Sequence, residues 1–150
     1  MDPQPPRPVE PSAFDQALLA SALSLSEAAG AVLLSGAGRV HAADSKSTSA
    51  DLVTAYDRAA EEVIVRGIRE SHPGHRILAE ESGSWDGEAT APCWIVDPLD
   101  GTTNFAHGLP VFSVSIAVAI GDEVRAGVVY APALQLCFSA VRGGGARRNG

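Results

Sequence analysis

The spacing of apolar residues predicts a long helix near the start of the chain. Ser12 is a suitable N-cap with Asp15 three residues further on, and apolar side chains then recur at helical intervals to about Leu34. The glycines Gly36 and Gly38 are predicted to end this helix. The face expected to pack inward consists of Phe14, Leu18, Ala22, Leu25, Ala29 and Val32.

A second helical pattern begins at about Asp51 and is closed by Pro73-Gly74. Residues 41–50, which precede it, are polar and predict no regular element. The inward face of this second helix is expected to comprise Ala60, Val63, Ile64 and Ile68.

The rest of the chain predicts strands, because apolar and β-branched residues alternate there. A short strand at 76–79 is followed by a glycine-rich loop at 82–92. Two long helices followed by mostly antiparallel strands indicate an α+β fold, with the helices packed on the sheet. Residues 12–150 are expected to form one domain, and the proline-rich segment 1–11 a mobile tail. The later strands are predicted at 112–120, 123–130 and 135–141.

The charge balance argues against two classes of partner. The 150 residues carry 18 acidic and 11 basic side chains, a net charge of −7, and the only basic cluster is Arg147-Arg148. No basic face is therefore predicted for nucleic acid or for an anionic membrane. The longest apolar stretch, 12–34, contains Asp15 and Glu27, which favours an amphipathic helix of a soluble protein over a membrane span.

The cysteines and the N-terminus point to the cytoplasm. Cys93 and Cys137 form no C-x-x-C motif, and both lie in apolar runs, so we expect two buried, reduced thiols. The first residues lack the basic and apolar regions of a secretory signal.

Carboxylates gather around the segment 94–105. Asp97 and Asp100 follow an apolar strand with a Pro-Leu pair between them, and Glu80-Glu81 end the strand before it. A lone Asp-Pro-x-Asp is usually a turn in which the aspartate caps a helix. Four acids at strand ends, however, repel one another strongly unless cations bind. The pattern therefore predicts a site for a divalent cation, which favours oxygen ligands.

A helix start rich in hydroxyls follows these acids. The N–H groups of Gly101 and Thr102 are expected to meet a phosphate at the positive end of the helix, with the Thr102 hydroxyl near a metal-held water. Thr102 and Thr103 could instead be ordinary N-cap residues. His107 is a possible acid–base group, but its turn context favours a structural role.

Two further polar residues carry little signal by themselves. Asp57 could be a solvated residue of the second helix. Lys46 is expected to be solvated as well, with a smaller chance that it touches the anionic site.

The segment Asp97-Pro-Leu-Asp-Gly-Thr-Thr-Asn-Phe105, followed by Leu109-Pro110 and Ser113-Val-Ser-Ile116, resembles the inositol monophosphatase family. The resemblance runs from about residue 12 to the end of the chain. Other pieces agree in order, namely Lys46, Asp51-Leu-Val-Thr54, Asp57, Leu78-Ala-Glu-Glu-Ser82, Gly127-Val-Val-Tyr130 and Asn149-Gly150.

The resemblance implies Mg²⁺-dependent hydrolysis of a small phosphate monoester, myo-inositol 1-phosphate, by in-line attack of water without a phosphoenzyme. Thr102, backed by Asp57 and assisted by Glu80, would orient and help deprotonate the attacking water. Asn104 favours the inositol branch over the adenosine bisphosphate and histidinol phosphatases. The implied metal ligands are Glu80, Asp97, Asp100 and the carbonyl of Leu99. The implied substrate-binding residues are Asp100, Gly101, Thr102 and Thr103.

The resemblance also implies that the chain corresponds to the first half of an αβαβα sandwich. The second half, with a Trp-Asp-x-Ala-Ala-Gly motif that supplies a further metal-ligating aspartate, is expected to be absent. A strand edge and an apolar face would then be open to solvent or to a partner, which suggests a homodimer or association through that edge. The alternatives are a truncated metal-binding fragment with little or no activity, and a phosphatase for another sugar or nucleotide phosphate.

Overall fold

The computed structural model describes residues 10–41, 46–85, 87–88 and 90–150. Most of the segment predicted as a tail, residues 1–9, lies outside this part of the chain. The side chain of Lys46 also lies outside it, so both expectations stay predictions.

Two long helices cover one face of a mixed, mostly antiparallel sheet. The helices are α1 (Ala13–His41) and α2 (Lys46–Ser71), and a third, short helix is α3 (Thr102–Ala106). Over the described residues the strands form one sheet in the order β2-β1-β3-β4-β5-β6-β7. This architecture confirms the predicted α+β class. The strands are β1 (Arg76–Ala79), β2 (Gly83–Trp85), β3 (Cys93–Asp100), β4 (Ser113–Ile120), β5 (Glu123–Ala131), β6 (Leu136–Val141) and β7 (Gly145–Arg148).

The core lies between the sheet and the helices. Alternate strand residues such as Trp94, Val96 and Ile116 are buried against Leu18 and Ile64 of the helices. The opposite face of the sheet leaves large apolar side chains about half exposed. These are Leu78, Ile95, Val129 and Phe138.

Both predicted helix boundaries need correction. α1 continues through Gly36 and Gly38 to His41, and α2 begins at Lys46, five residues before the predicted start. A Cβ added at Gly36 would lie 2.6 Å from the Tyr56 ring of α2. This glycine therefore allows the two helices to approach closely, and it does not end α1.

The inward face of α1 carries a carboxylate where a phenyl ring was predicted. Phe14 is half exposed, whereas Asp15 is only 2% exposed. The guanidinium of Arg125 in β5 donates to both Asp15 oxygens, at 3.1 and 3.0 Å, and this interaction lowers the Asp15 pKa. The Asp15 N–H donates to Ser12 Oγ at 3.0 Å, which confirms Ser12 as the N-cap.

The helix α1 is long and apolar enough to cross a membrane, judged by length and composition alone. In this structure a third of its apolar window, 33%, is buried within the fold. Its buried residues include Leu18, Ala22 and Leu33, which belong to the core cluster beneath the sheet.

Two short strands were not predicted. β2 lies within the segment expected to be a loop and pairs with β1, and β7 pairs with β6 at the other edge. Both are too short to show a clear alternation in the sequence. Cys93 and Cys137 are half-buried thiols, where full burial was expected.

A cluster of aromatic rings supports the strand β3. The buried indole N–H of Trp94 donates to His75 Nδ1 at 3.0 Å. The His72 ring stacks on His75 at 5.0 Å, and its Nε2 lies 2.9 Å from Ser21 Oγ. Burial lowers the pKa of both histidines. Because His75 Nδ1 accepts a hydrogen bond, this nitrogen must be unprotonated in the folded protein.

We expect His75→Asn to flatten the pH dependence of stability. The asparagine oxygen can accept the Trp94 N–H but does not titrate, whereas His75 has a lowered pKa. The contribution of His75 to the unfolding free energy of the wild type is therefore present above about pH 6.5 and is lost as the pH falls below that value. The measurement is Tm from pH 8 to pH 5.

The matched control is His75→Ala, which leaves the Trp94 N–H without its acceptor. We expect it to have an unfolding free energy about 1–3 kcal/mol lower than that of His75→Asn at every pH, because neither substituted residue titrates. A difference in Tm between the wild type and His75→Asn that stays constant with pH would contradict the assignment.

Candidate metal and phosphate site

The parallel pairing of β1 with β3 brings the first two predicted acids together. Ala79 is in register with Val96, and the Glu80 N–H donates to the Val96 carbonyl at 3.2 Å. Glu80, directly after β1, and Asp97, within β3, therefore lie beside each other where these two parallel strands run towards their C-terminal ends. Their carboxyl groups lie close enough for Glu80 to raise the pKa of Asp97.

A bulge in β3 separates Asp97 from Asp100. Asp97 pairs with Ser115 and Asp100 with Ser113, so β3 holds one residue more than β4 over this stretch. Pro98, which lies within the bulge, has no N–H to give to the ladder. The Leu99 N–H turns back to Asp97 Oδ1 at 3.1 Å and orients that carboxylate.

The chain then turns into α3 through a glycine that no other residue could easily replace. Gly101 has φ 89° and ψ 36°, and an added Cβ would lie 2.9 Å from the Val111 carbonyl oxygen. No side-chain oxygen caps α3, because the N-cap residue is Gly101. Thr102 and Thr103 are both exposed, which leaves their hydroxyls open to solution.

Two predicted side chains have structural contacts. Asn104 Nδ2 donates to the Val111 carbonyl at 2.7 Å and braces the loop that follows α3. His107 Nδ1 lies 2.7 Å from the Thr103 carbonyl, and since a carbonyl only accepts, this nitrogen carries the proton. His107 therefore closes the turn after α3, as its sequence context predicted.

Asp57 is buried, so the alternative of a solvated helix residue is wrong. It is 6% exposed, and among the described residues its Oδ1 atom has no hydrogen-bond partner. Burial first, and then the charges of Glu81, Asp97, Glu80 and Glu61, raise the pKa of Asp57 to about 7.

Asp97 shows the same crowding of negative charge. Burial first, and then its contact with Glu80, raise the Asp97 pKa to about 6, and Asp100 adds to the effect. Two neighbouring carboxyl groups cannot both ionise easily unless a cation binds beside them. Without a cation the cluster therefore retains protons close to neutral pH, and a bound cation would displace them.

These donors fit a hard cation that keeps part of its water shell. Among the described side chains, no three acids, imidazoles or thiols converge closely enough to enclose an ion. Mg²⁺ usually binds through one or two carboxylates and retains several waters. The Glu80–Asp97 pair, the nearby Asp100 and the unpartnered Asp57 oxygen suit an ion of that kind.

The sequence analysis missed one acid in this region. Glu61 is 4% exposed and accepts a hydrogen bond from the Glu81 N–H at 2.8 Å. It lies one helical turn after Asp57, and that i,i+4 spacing is the one signal that could have identified it. A groove of about 730 Å³ lies beside the cluster, lined by α2 and by Glu81 and Ser82.

The sequence and the fold of the chain match those of a known family. The model of the inositol monophosphatase family matches residues 15–150, so the chain belongs to the inositol monophosphatase family. The Nus factor SuhB of Pasteurella multocida is 52% identical over 104 residues, which is 69% of this chain and 39% of that protein. The inositol-1-monophosphatase of Mesorhizobium japonicum is 48% identical over 99 residues, 66% of this chain and 37% of that protein.

A solved structure supports the same grouping. The inositol monophosphatase from Anabaena superposes with a TM-score of 0.76 at 40% identity, covering 89% of this chain and 47% of that one. The chain thus spans about half the length of this solved relative, and its alignments cover about two fifths of the two curated relatives.

We expect Asp100→Asn to abolish Mg²⁺ binding and to leave the fold intact. The side chain of Asp100 is exposed, so its neutral isostere removes a charged donor without disturbing the core. Isothermal titration with Mg²⁺ measures binding, and circular dichroism checks the fold. Asp122→Asn, at the exposed turn between β4 and β5, is the matched control. An unchanged Mg²⁺ affinity of Asp100→Asn would remove Asp100 from the site.

Proposed function

We propose that this chain carries the metal-holding and water-orienting residues of a Mg²⁺-dependent phosphomonoesterase that hydrolyses myo-inositol 1-phosphate. The observation that supports this most is the contact between Glu80 and Asp97, held together by parallel strands next to the bulge. Such a pair of carboxylates, with Asp100 close by, is costly without a cation and well suited to one.

The metal would be held by Glu80, Asp97, Asp100 and the carbonyl oxygen of Leu99. When bound, Mg²⁺ lowers the pKa of water, clamps phosphate oxygens and stabilises the leaving alkoxide. All ionisable side chains among the residues proposed for the site are acids. These residues therefore supply no positive charge that could take the place of the metal.

The residues of the chain would orient the two reactants. The exposed Thr102 hydroxyl is proposed to hold the attacking water, with Asp57 accepting a proton and Glu80 assisting. The atom that would accept the proton is Asp57 Oδ1, which has no hydrogen-bond partner among the described residues. The N–H groups of Gly101, Thr102 and Thr103 begin α3 and would bind phosphate oxygens, since the first N–H groups of a helix have no partner within it.

The substrate assignment rests on the family and on the relative named inositol-1-monophosphatase. Asn104, which favoured the inositol branch, uses its amide to hold the Val111 carbonyl. Its contribution is therefore to the shape of the loop after α3. Another sugar phosphate or a nucleotide phosphate is the alternative substrate.

A non-enzymatic role is the second candidate. The relative from Pasteurella multocida is named a Nus factor, and the alignment covers 39% of that protein. In that case the chain would bind metal with little or no turnover. Association of two copies through the exposed edge strands, β2 or β7, is part of the proposal for either role.

We expect the chain to release phosphate from inositol 1-phosphate only when Mg²⁺ is present. Asp100→Asn is the control for a contaminating phosphatase, and turnover should be lost in that variant. Adenosine monophosphate and glucose 1-phosphate, assayed in parallel, test the alternative substrates. Absence of turnover from a folded chain that binds Mg²⁺ would favour the non-enzymatic candidate.

His107→Ala should keep any turnover within a few-fold of the wild type. The imidazole closes a turn through the Thr103 carbonyl, and a metal-activated water needs no histidine base. The measurement is kcat/KM with saturating Mg²⁺. A loss as large as that of Asp100→Asn would identify His107 as a catalytic acid.

A further inference from the structure

Glu61 of α2 is a buried acid that the proposed chemistry does not use. Its side chain lies among core residues of the helix, and Ala60 and Ile64 beside it are fully buried. A carboxylate buried in this way is costly unless its oxygens accept hydrogen bonds. The hydrogen bonds that the two Glu61 carboxylate oxygens accept therefore indicate the role of this residue.

Both Glu61 oxygens bind the segment that follows β1. Oε2 accepts from the Glu81 N–H at 2.8 Å, and Oε1 accepts from the Ser82 hydroxyl. These bonds join the middle of α2 to the point at which the chain leaves the sheet. Charge-assisted bonds to a carboxylate are stronger than those between neutral groups.

The two bonded residues directly follow Glu80. The N–H of Glu80 is bound to the Val96 carbonyl of β3, and the next N–H along the chain, that of Glu81, is bound to Glu61. The peptide groups on both sides of the Glu80 Cα are thus held by different elements. This fixes the direction in which the exposed Glu80 side chain leaves the backbone, towards Asp97.

We propose that Glu61 is a positioning residue that holds Glu80 in the geometry required to bind the metal. The inference rests on the proposed function of the acid cluster as a Mg²⁺ site. Glu61 itself does not touch the metal or the substrate. It acts through the Glu81 N–H and the Ser82 hydroxyl.

Glutamine at this position separates geometry from charge. In Glu61→Gln the amide oxygen can still accept from the Glu81 N–H, and the amide NH₂ can donate to Ser82 Oγ, since a hydroxyl also accepts. The positioning contacts are kept while the negative charge is removed. Glu61→Ala removes both, and Ser82→Ala removes one of the two contacts.

The experiment measures Mg²⁺ affinity by isothermal titration and the exchange rate of the Glu81 amide proton without metal. We expect Glu61→Ala to weaken Mg²⁺ binding about 10–100-fold, the usual effect of losing a residue that orients a ligand. Its Glu81 amide should exchange at least about tenfold faster. Glu61→Gln should stay within about twofold of the wild type in both measurements, and Ser82→Ala should lie between them.

The control is Glu62→Ala, which removes the neighbouring, exposed acid of the same helix. It should leave both measurements unchanged. If Glu61→Gln binds Mg²⁺ as weakly as Glu61→Ala, the charge matters and the positioning role is wrong. If Glu61→Ala keeps full affinity, the role is also wrong.

Two further outcomes are distinguishable. If Glu61→Ala does not fold, Glu61→Gln and Ser82→Ala decide, because a positioning role requires wild-type affinity in the first and a loss in the second. If the wild type binds no Mg²⁺, the proposed function fails. The exchange rates then show by themselves whether Glu61 holds the segment, and unchanged rates in Glu61→Ala would overturn the inference too.

Discussion

The pairing of β1 with β3 holds Glu80 beside Asp97 although their charges oppose it. Two unit charges about 4 Å apart near a protein surface repel by about 4 kcal/mol, several times the net ~1 kcal/mol of one backbone hydrogen bond. One bond could not keep them together. The rest of the stabilisation comes from the pairing of β1 with β3 over four residue pairs, from Arg76 to Ala79, and from the burial of Ile77 and Ala79. The remaining repulsion is relieved by a proton or by a cation.

A row of aromatic contacts joins α2, which carries Asp57, to α3, whose first residues are proposed to bind phosphate. Gly36 lets the Tyr56 ring pack against α1, and Tyr56 meets the buried Phe105 of α3 at 6.2 Å. Phe105 in turn packs edge-on against Phe112 at 5.0 Å, just before β4. Tyr56 precedes Asp57 in the sequence, so the same contacts locate the buried aspartate and the helix start. Small changes in the packing of α1 against α2 would therefore move Asp57 and the start of α3 together.

Local chemistry determined what could be predicted from the sequence. The geometry of the Asp-Pro-Leu-Asp-Gly segment can be predicted from its own residues, because the proline removes a ladder hydrogen bond and the glycine permits a positive φ. The burial of Asp15 and Glu61 could not be predicted in this way. Arg125 lies 110 residues from Asp15, and only the four-residue spacing from Asp57 distinguishes Glu61 from the exposed Glu62. Gly36 was misread because a glycine that ends a helix and one that admits a neighbouring ring look alike in sequence.

Metal binding and turnover make different demands on this chain. The acids of the cluster come from α2, the end of β1 and the end of β3, all within one sheet and its helical layer. Their proposed positions depend on contacts that the chain itself provides. The exposed apolar residues lie on the other face of the sheet, in a row that includes Leu78 and Ile95 in register. A partner bound to that face would act directly on the stability of the sheet. It would affect the positions of the acids only through the sheet. Binding of Mg²⁺ is therefore the property that tests the site most directly, and turnover tests the site together with whatever surrounds it.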